Sequence, residues 1–140
     1  MSLYLDASVL VALFVIDPAS ARAAAFLASH PAIILVSDFG AAEFSSALAR
    51  RVRMRNLTRG DGLLALEHFD TWMTRAAGRQ EITTADIWAA DQILRRLDVN
   101  LRTPDALHVA IARRLDATLV TFDRGMAAAA RTLGMAVAMP

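Results

Sequence analysis

Four acidic residues of this chain stand where an acid is unexpected. Asp6 lies between two apolar runs, and Asp123 follows the apolar run 118–121 almost at once. Glu43 is flanked by small and apolar residues in AAEFSSAL, and Asp105 opens the apolar segment DALHVAIA. Because a carboxylate in apolar surroundings is costly unless its charge is compensated, these four residues are the first candidates for a functional site.

Carboxylates that crowd together repel one another, and the pKa of each rises unless a cation lies between them. A set of ligands made only of oxygen atoms selects a hard ion such as Mg²⁺ or Mn²⁺ rather than zinc or copper. An ion of this kind that keeps open water positions commonly serves phosphate-ester chemistry, because it acidifies a bound water and stabilises charge on the phosphoryl oxygens. If the fold gathers the four acids, they predict this chemistry.

Three of the acids also have a simpler interpretation. Asp6 and Asp123 precede predicted helices and could cap them, and Asp105 lies in the first turn of a helix, where a negative charge is favourable. Capping and site chemistry are compatible for one carboxylate. A surface glutamate would not have so many apolar and small neighbours, and Gly40 beside Glu43 predicts open space around its carboxylate.

His108 lies three residues after Asp105 and could be a metal ligand or a base. A lone histidine on an apolar helix is more often a core residue whose ring nitrogens are hydrogen-bonded, and this interpretation is favoured. The run 49–55, which contains four arginines, is interpreted as a solvated helix face rather than as an RNA contact.

The elements that must position these residues alternate between short apolar runs and longer helical patterns, which is typical of βαβ units around a parallel sheet. The predicted strands are 3–5, 33–36, 118–121 and 136–138. The predicted helices are 8–16, 19–29, 38–55, 61–77, 84–97, 103–115 and 123–133. In such a sheet the carboxyl ends of the strands share one edge, so Asp6 and Asp123 should lie at that edge, with Glu43 early in the helix after the second strand.

Length and composition limit the possible classes of protein. With 140 residues and 15.1 kDa, residues 1–140 are predicted to form one domain. Hydrophobic residues make up 56% of the chain and the mean hydropathy is +0.39, but no run reaches the roughly 18 apolar residues of a membrane helix. We therefore expect no membrane association, and we interpret the apolar excess as a deep core plus a surface that a partner covers.

Two residue types are missing. Without cysteine, disulfides, zinc–thiolate sites and thiol nucleophiles are excluded, which fits a cytoplasmic location. Without lysine, Schiff-base chemistry and Walker-type phosphate loops are excluded. Four of the 14 acidic residues belong to the candidate site, so ten remain against 15 arginines, and the rest of the surface carries the positive charge that a phosphate-backbone binder needs.

Four segments together resemble the signature blocks of the PIN domain: YLDASVLVALF, AAEFSSAL, RTPDALHVAIARRL and LVTFD. More specifically, their order and spacing resemble the VapC-type toxin ribonucleases of bacterial toxin–antitoxin pairs. The resemblance implies that the family's acidic metal-binding residues are Asp6, Glu43, Asp105 and Asp123. It also implies that the hydroxyls of Ser8 and Thr121 support the metal-bound water or the carboxylates.

The resemblance implies a three-layer α/β/α fold with a short, mostly parallel central sheet, here expected to have four or five strands. It implies an endoribonuclease that uses Mg²⁺, for which Mn²⁺ would substitute, to hydrolyse RNA phosphodiester bonds with metal-activated water. It further implies a homodimer and a cognate antitoxin protein that covers a hydrophobic groove and occludes the acidic site.

The same residues allow two alternatives. A phosphatase of the haloacid dehalogenase type would need a second Asp where this chain has Ser8, and usually a lysine, so it is disfavoured. The other alternative is a catalytically silent PIN-like module that only binds a partner protein or RNA. The four acids argue against this alternative but do not eliminate it.

Overall fold

The computed structural model describes residues 1–140 and contains one five-stranded sheet in which every neighbouring pair of strands is parallel. The strands are β1 (Ser2–Leu5), β2 (Ile33–Ser37), β3 (Ala77–Gln80), β4 (Thr118–Val120) and β5 (Val137–Ala138). Their order in the sheet is β3-β2-β1-β4-β5. The predicted α/β class with a short parallel sheet is therefore confirmed.

Seven helices connect and cover the strands. They are α1 (Ala7–Phe14), α2 (Ser20–Ser29), α3 (Asp38–Arg53), α4 (Arg59–Ala76), α5 (Thr84–Arg95), α6 (Thr103–Arg114) and α7 (Arg124–Thr132). All seven predicted helices are present, with ends that coincide or differ by at most two residues. No helix combines the length and the apolar character that crossing a membrane requires.

Side chains that alternate along the strands divide the core into two layers. Leu3 and Leu5 of β1 face one apolar cluster, to which α1, α3 and α4 contribute. Tyr4 between them faces a second cluster, which is built with α5, α6 and α7. Both faces of the sheet are covered, and this explains why the strands are continuously apolar and confirms the three-layer arrangement.

The sequence predicts no strand where β3 lies. The segment, AGRQ, has none of the β-branched or aromatic residues that favour strands, and the helical pattern extends through Ala77. The strand forms because β2 offers a free edge, against which Leu35 pairs with Gly78. A Cβ atom at Gly78 would lie 3.1 Å from Cδ2 of Leu35, so the close pairing favours glycine at this position. Tertiary pairing thus decides the structure of this segment.

The strand order creates a crevice at one edge of the sheet. From β1 the chain moves to β2 and β3 on one side, and it then returns to β4 and β5 on the other side of β1. In parallel α/β sheets, ligands bind at the carboxyl ends of the strands where the order reverses in this way. The ends of β1 and β4 flank this point, so the residues after Leu5 and Val120 are placed to contact a ligand.

Candidate active site

Asp6 follows β1 directly and is 2% exposed. Its Oδ1 accepts hydrogen bonds from the Ser8 hydroxyl at 2.6 Å and from the Val9 backbone N–H at 3.1 Å. Its Oδ2 accepts one from the Thr121 hydroxyl at 2.5 Å. Asp6 is therefore the N-cap of α1, as the simpler interpretation predicted, and its carboxylate is held on both oxygens at the crevice.

Burial raises the pKa of Asp6, and this effect outweighs the opposing hydrogen bonds from Ser8 and Thr121. No arginine forms an ion pair with this carboxylate. The charged form of Asp6 is thus incompletely compensated by the protein, which is the condition under which a bound cation is most strongly favoured.

The two hydroxyls predicted to support the site join the ends of β1 and β4. The Thr121 Oγ1 that donates to Asp6 also accepts the backbone N–H of Asp123 at 2.9 Å. The Ser8 Oγ that donates to Asp6 accepts the backbone N–H of Phe122 at 3.0 Å. Each hydroxyl therefore has one donor and one acceptor role, and together they fix the backbone after β4 against the carboxylate of Asp6.

Asp123 and Asp105 both serve as helix caps. Oδ1 of Asp123 accepts the backbone N–H of Met126 at 2.8 Å and begins α7. Oδ2 of Asp105 accepts the backbone N–H of Arg102 at 3.0 Å and begins α6. Helix α6 leads directly into β4, so its first turn lies at the edge where the parallel strands end. Asp123 is the N-cap of α7 and Asp105 is an acid in the first turn of α6, as the simpler interpretation of each predicted.

Glu43 lies in the second turn of α3, and its partner is His108. Nε2 of His108 lies 2.5 Å from Oε2 of Glu43, and Nδ1 lies 2.8 Å from the Tyr4 hydroxyl. His108 is thus a buried core residue with both ring nitrogens bonded, as favoured from the sequence. A Cβ at Gly40 would meet Cε1 of His108 at 3.6 Å, whereas the Glu43 side chain is 30% exposed and lines a groove. The sequence does not predict Glu43 as the partner of His108, because the two residues are 65 positions apart.

The four predicted acids share one edge of the sheet but do not form a finished metal centre. No three carboxylate or imidazole groups converge at metal-binding distance. Asp6 and Asp123 are linked through Thr121, whereas Glu43 belongs to the separate network of His108. Burial raises the pKa of Tyr4 well above its usual range, and the charges of Asp6 and Glu43 raise it further. Both acids are therefore close enough to affect the hydroxyl of Tyr4.

Two arginines lie in a groove beside Glu43. Arg50 and Arg51 line a groove together with Glu43 and Ala7. Arg51 also forms a 3.2 Å ion pair with Asp17, whereas the other arginines of the run 49–55 are exposed, as predicted for a solvated face. The groove beside Glu43 therefore carries positive charge, which suits the approach of a polyanion.

A parallel α/β sheet with a buried aspartate at the reversal of its strand order, and further acids along the same edge, defines the class of this protein. The sequence model of the family described as PIN domain matches residues 3–132, and the chain belongs to that family. The resemblance inferred from the four sequence segments is therefore confirmed.

Among its relatives, the chain is similar to Ribonuclease VapC46 of Mycobacterium tuberculosis, with 36% identity over 99% of this chain and 98% of the relative. The fold is also similar to the crystal structure of the Mycobacterium tuberculosis toxin VapC20, with a TM-score of 0.74 and 22% identity over 91% of this chain and 94% of that one. A similar match is VapBC2 of Rickettsia felis, with a TM-score of 0.73 and 15% identity over 100% and 99% of the two chains.

Proposed function

We propose that this protein is a Mg²⁺-dependent endoribonuclease, able to use Mn²⁺, that acts as the toxin of a toxin–antitoxin pair. The observation that carries the proposal is the buried carboxylate of Asp6 in the crevice between β1 and β4, with three further acids along the same edge. The names of the relatives support it: VapC46 is called a ribonuclease, and VapC20 a toxin that cleaves the sarcin–ricin loop.

The donor set fits a hard divalent cation, because its ligand atoms would all be carboxylate oxygens. Asp6 would be the central ligand, since burial raises its pKa and a cation would favour its charged form. The further ligands would be Glu43, which would keep Oε2 on His108 and offer its other oxygen, and Asp105 and Asp123, which now cap their own helices and would turn toward Asp6. The ion would supply Lewis acidity to a phosphate oxygen and to a water molecule.

The chain itself would orient the carboxylates and attract the substrate. Ser8 and Thr121 hold the two oxygens of Asp6 in one orientation. Arg50 and Arg51 in the groove beside Glu43 would bind the phosphates of an RNA strand that passes the acids. Guanidinium groups suit this role because they pair with phosphate through two parallel hydrogen bonds.

An apolar groove next to the site is the surface we assign to the antitoxin. It is lined by Phe14, Val15, Ile16, Leu57, Leu64 and Ala65. Ile16, in the loop that follows α1, is 100% exposed, although Val15 before it is buried. The groove continues through Arg51 and Asn56 to the wall that contains Glu43, so one extended segment of a partner could fill the apolar groove and also cover the acids.

A second apolar surface would form the homodimer. On α5, Trp88 is 73% exposed and Ile87 is 55% exposed, and Ile82 just before the helix is 37% exposed. Exposed aromatic and branched residues that adjoin one another are typical of a surface that another protein covers. Helix α5 packs beside α6 on one face of the sheet, and α1 and α4 cover the opposite face. A second copy bound to the exposed side of α5 would therefore leave the apolar groove free.

The proposal is tested by incubating purified, partner-free protein with total cellular RNA in the presence of Mg²⁺, Mn²⁺ or EDTA. We expect cleavage with either ion, no cleavage in EDTA, and no cleavage by Asp6→Asn under any condition. Asp70→Asn is the matched control, because Asp70 is exposed and forms no ion pair. Cleavage that survives in EDTA or in Asp6→Asn would contradict the metal mechanism.

The toxin role has its own test. Induced production of the wild-type protein should arrest growth, whereas Asp6→Asn at equal abundance should not. A silent PIN-like module predicts no cleavage and no growth arrest, and a nuclease that is not a toxin predicts cleavage without arrest. The two assays therefore separate the proposed function from its alternatives.

A further inference from the structure

A chain of buried hydrogen bonds begins at the N-terminus of α3 and returns to Glu43 on the same helix. Ser37, the N-cap of α3, accepts the backbone N–H of Gly40 at 2.9 Å. Its Oγ lies 2.7 Å from the hydroxyl of Tyr4, which lies 2.8 Å from Nδ1 of His108. Nε2 of His108 then lies 2.5 Å from Oε2 of Glu43. The chain of bonds thus joins α3 to β1 and α6.

One direction of donation satisfies every atom in this chain of bonds. The Tyr4 hydroxyl is a donor at any physiological pH, because burial raises its pKa well above the usual range. When Ser37 donates to Tyr4 and Tyr4 donates to Nδ1 of His108, the proton of the neutral imidazole lies on Nε2 and points at Glu43. The hydroxyl of Tyr4 therefore selects the tautomer that can donate to the carboxylate.

The imidazole cannot turn away from this position without cost. Ser37, Tyr4 and His108 are each no more than 1% exposed, and no buried side-chain nitrogen or oxygen atom in the protein lacks a partner. The ring of Phe39 lies 5.0 Å from the imidazole and that of Tyr4 lies 5.8 Å from it, measured between centroids. A rotated ring would leave polar atoms buried and unpaired, which is strongly unfavourable.

We propose that His108 is a positioning residue that holds one oxygen of Glu43 so that the other oxygen faces a divalent cation. This inference rests on the proposed function, in which Glu43 is a metal ligand. The Glu43 side chain is 30% exposed and would otherwise sample several rotamers. Replacing a residue that hydrogen-bonds to a metal ligand, without contacting the ion, typically weakens metal binding about 10- to 100-fold.

Two amide substitutions separate this role from simple core filling. In His108→Asn the amide reaches the position of Nδ1, so the contact with Tyr4 is kept and the donor to Glu43 is lost. In His108→Gln the amide reaches the position of Nε2, so the donor to Glu43 is kept and the contact with Tyr4 is lost. Both variants remove the same aromatic ring from the core, so a purely structural role predicts similar effects for the two.

The readout is the dissociation constant for Mn²⁺, measured by isothermal titration calorimetry without RNA, together with the Tm of the metal-free protein. We expect His108→Asn to bind Mn²⁺ about 10- to 100-fold more weakly than wild type, and His108→Gln to restore most of the affinity. Equal affinities for the two variants, whether both match wild type or both fall together, would overturn the proposal.

The same titration keeps failure of this inference apart from failure of the proposed function. If the wild-type protein binds no Mn²⁺, the proposed function is wrong and this inference falls with it. If wild type binds Mn²⁺, Asp6→Asn does not, and His108→Asn matches wild type, only the role of His108 is wrong.

Should His108→Asn fail to fold, Tyr4→Phe provides the second variant. It keeps both rings and removes only the hydroxyl that selects the tautomer of His108. We expect it to bind Mn²⁺ about 10-fold more weakly than wild type, and an unchanged affinity would overturn the proposal.

Discussion

The hydroxyl of Thr121 donates to Oδ2 of Asp6 at 2.5 Å and so joins two residues that are 115 positions apart in the chain. The same oxygen accepts the backbone N–H of Asp123. One side chain therefore aligns the ends of β1 and β4 and sets the orientation of the buried carboxylate. The structural importance of this threonine rests on its hydroxyl rather than on its methyl group.

Replacing Thr121 by valine should lower the free energy of unfolding by about 1–3 kcal/mol, because the isosteric change leaves a buried carboxylate oxygen without its donor. Urea denaturation at neutral pH measures the difference. Thr121→Ser is the matched control, since it keeps the hydroxyl and should retain most of the lost stability. Equal losses in the two variants would mean that the methyl group, not the hydrogen bond, is what matters.

Asp6→Asn should leave the metal-free fold at least as stable as wild type at pH 7. Burial holds the pKa of Asp6 in the folded state above its value in the unfolded chain, so the charged carboxylate weakens the native state at neutral pH. This penalty shrinks as the pH falls toward the folded pKa. Asparagine removes the charge and remains a good N-cap for α1.

Thermal unfolding of Asp6→Asn and wild type in EDTA, from pH 7 down to pH 5, checks this prediction. The Tm of the variant should be equal or higher at pH 7, and the two values should converge on acidification. A Tm several degrees below wild type at pH 7 would show that the charge stabilises the fold. RNA cleavage by the variant should be lost in either case.

The ion pair between Asp86 and Arg114 should stabilise the packing of α5 against α6. Asp86 is 1% exposed and receives bonds from Nε of Arg114 at 2.6 Å and from Nη2 at 3.0 Å, with further donors from Thr83. Asp86→Asn should cost about 2 kcal/mol, because charged hydrogen bonds are lost at a buried position. The exposed pair of Asp91 and Arg95 is the control, and Asp91→Asn should cost less than about 0.5 kcal/mol.

The contribution of Asp86 should also depend on pH. Burial raises the pKa of this carboxyl, but the hydrogen bonds from Arg114 and Thr83 outweigh burial and place the pKa below the usual value of 3.8. Its stabilisation is therefore fully present above about pH 4 and is lost as the pH falls through the lower folded value. Urea denaturation of wild type and Asp86→Asn should show a gap that narrows below pH 4. A constant gap from pH 7 to pH 3 would contradict the assignment.

The proposed dimer surface on α5 should respond to one charge. Trp88→Glu should shift the mass measured by sedimentation from that of a dimer toward that of a monomer, because a buried charge without a partner opposes association. The free energy of unfolding should stay within about 0.5 kcal/mol, since Trp88 is exposed within the single chain. Ile16→Asp in the apolar groove is the matched control and should leave the mass unchanged. A dimer that persists in Trp88→Glu would place the contact elsewhere.

Binding of the antitoxin should depend on Ile16 and not on Trp88. Ile16→Asp should keep the ability to arrest growth but should no longer be neutralised by the cognate antitoxin, because its charge enters the apolar groove. Growth curves with and without co-produced antitoxin measure this effect. Trp88→Glu should remain neutralised. If Ile16→Asp is still neutralised, the antitoxin binds outside this groove.

Local sequence was sufficient for most of the elements but not for β3. Residue types with local preferences predict most elements. They give the apolar runs of β1, β2 and β4, and the helix starts at Asp6, Ser37 and Asp123. The segment Ala77–Gln80 has no such preference, and it becomes a strand only because Leu35 and its neighbours in β2 present an open edge. Pairing between distant segments cannot be read from the composition of one of them.

The sequence by itself determined the family, the layer architecture and the identity of the four candidate acids, since each of these depends on residue types in a fixed order along the chain. Only the tertiary structure decided that Thr121 binds Asp6 and that His108 binds Glu43. The reason is physical. Hydrogen bonds across 65 and 115 positions depend on rotamers and close packing, which only the folded chain defines.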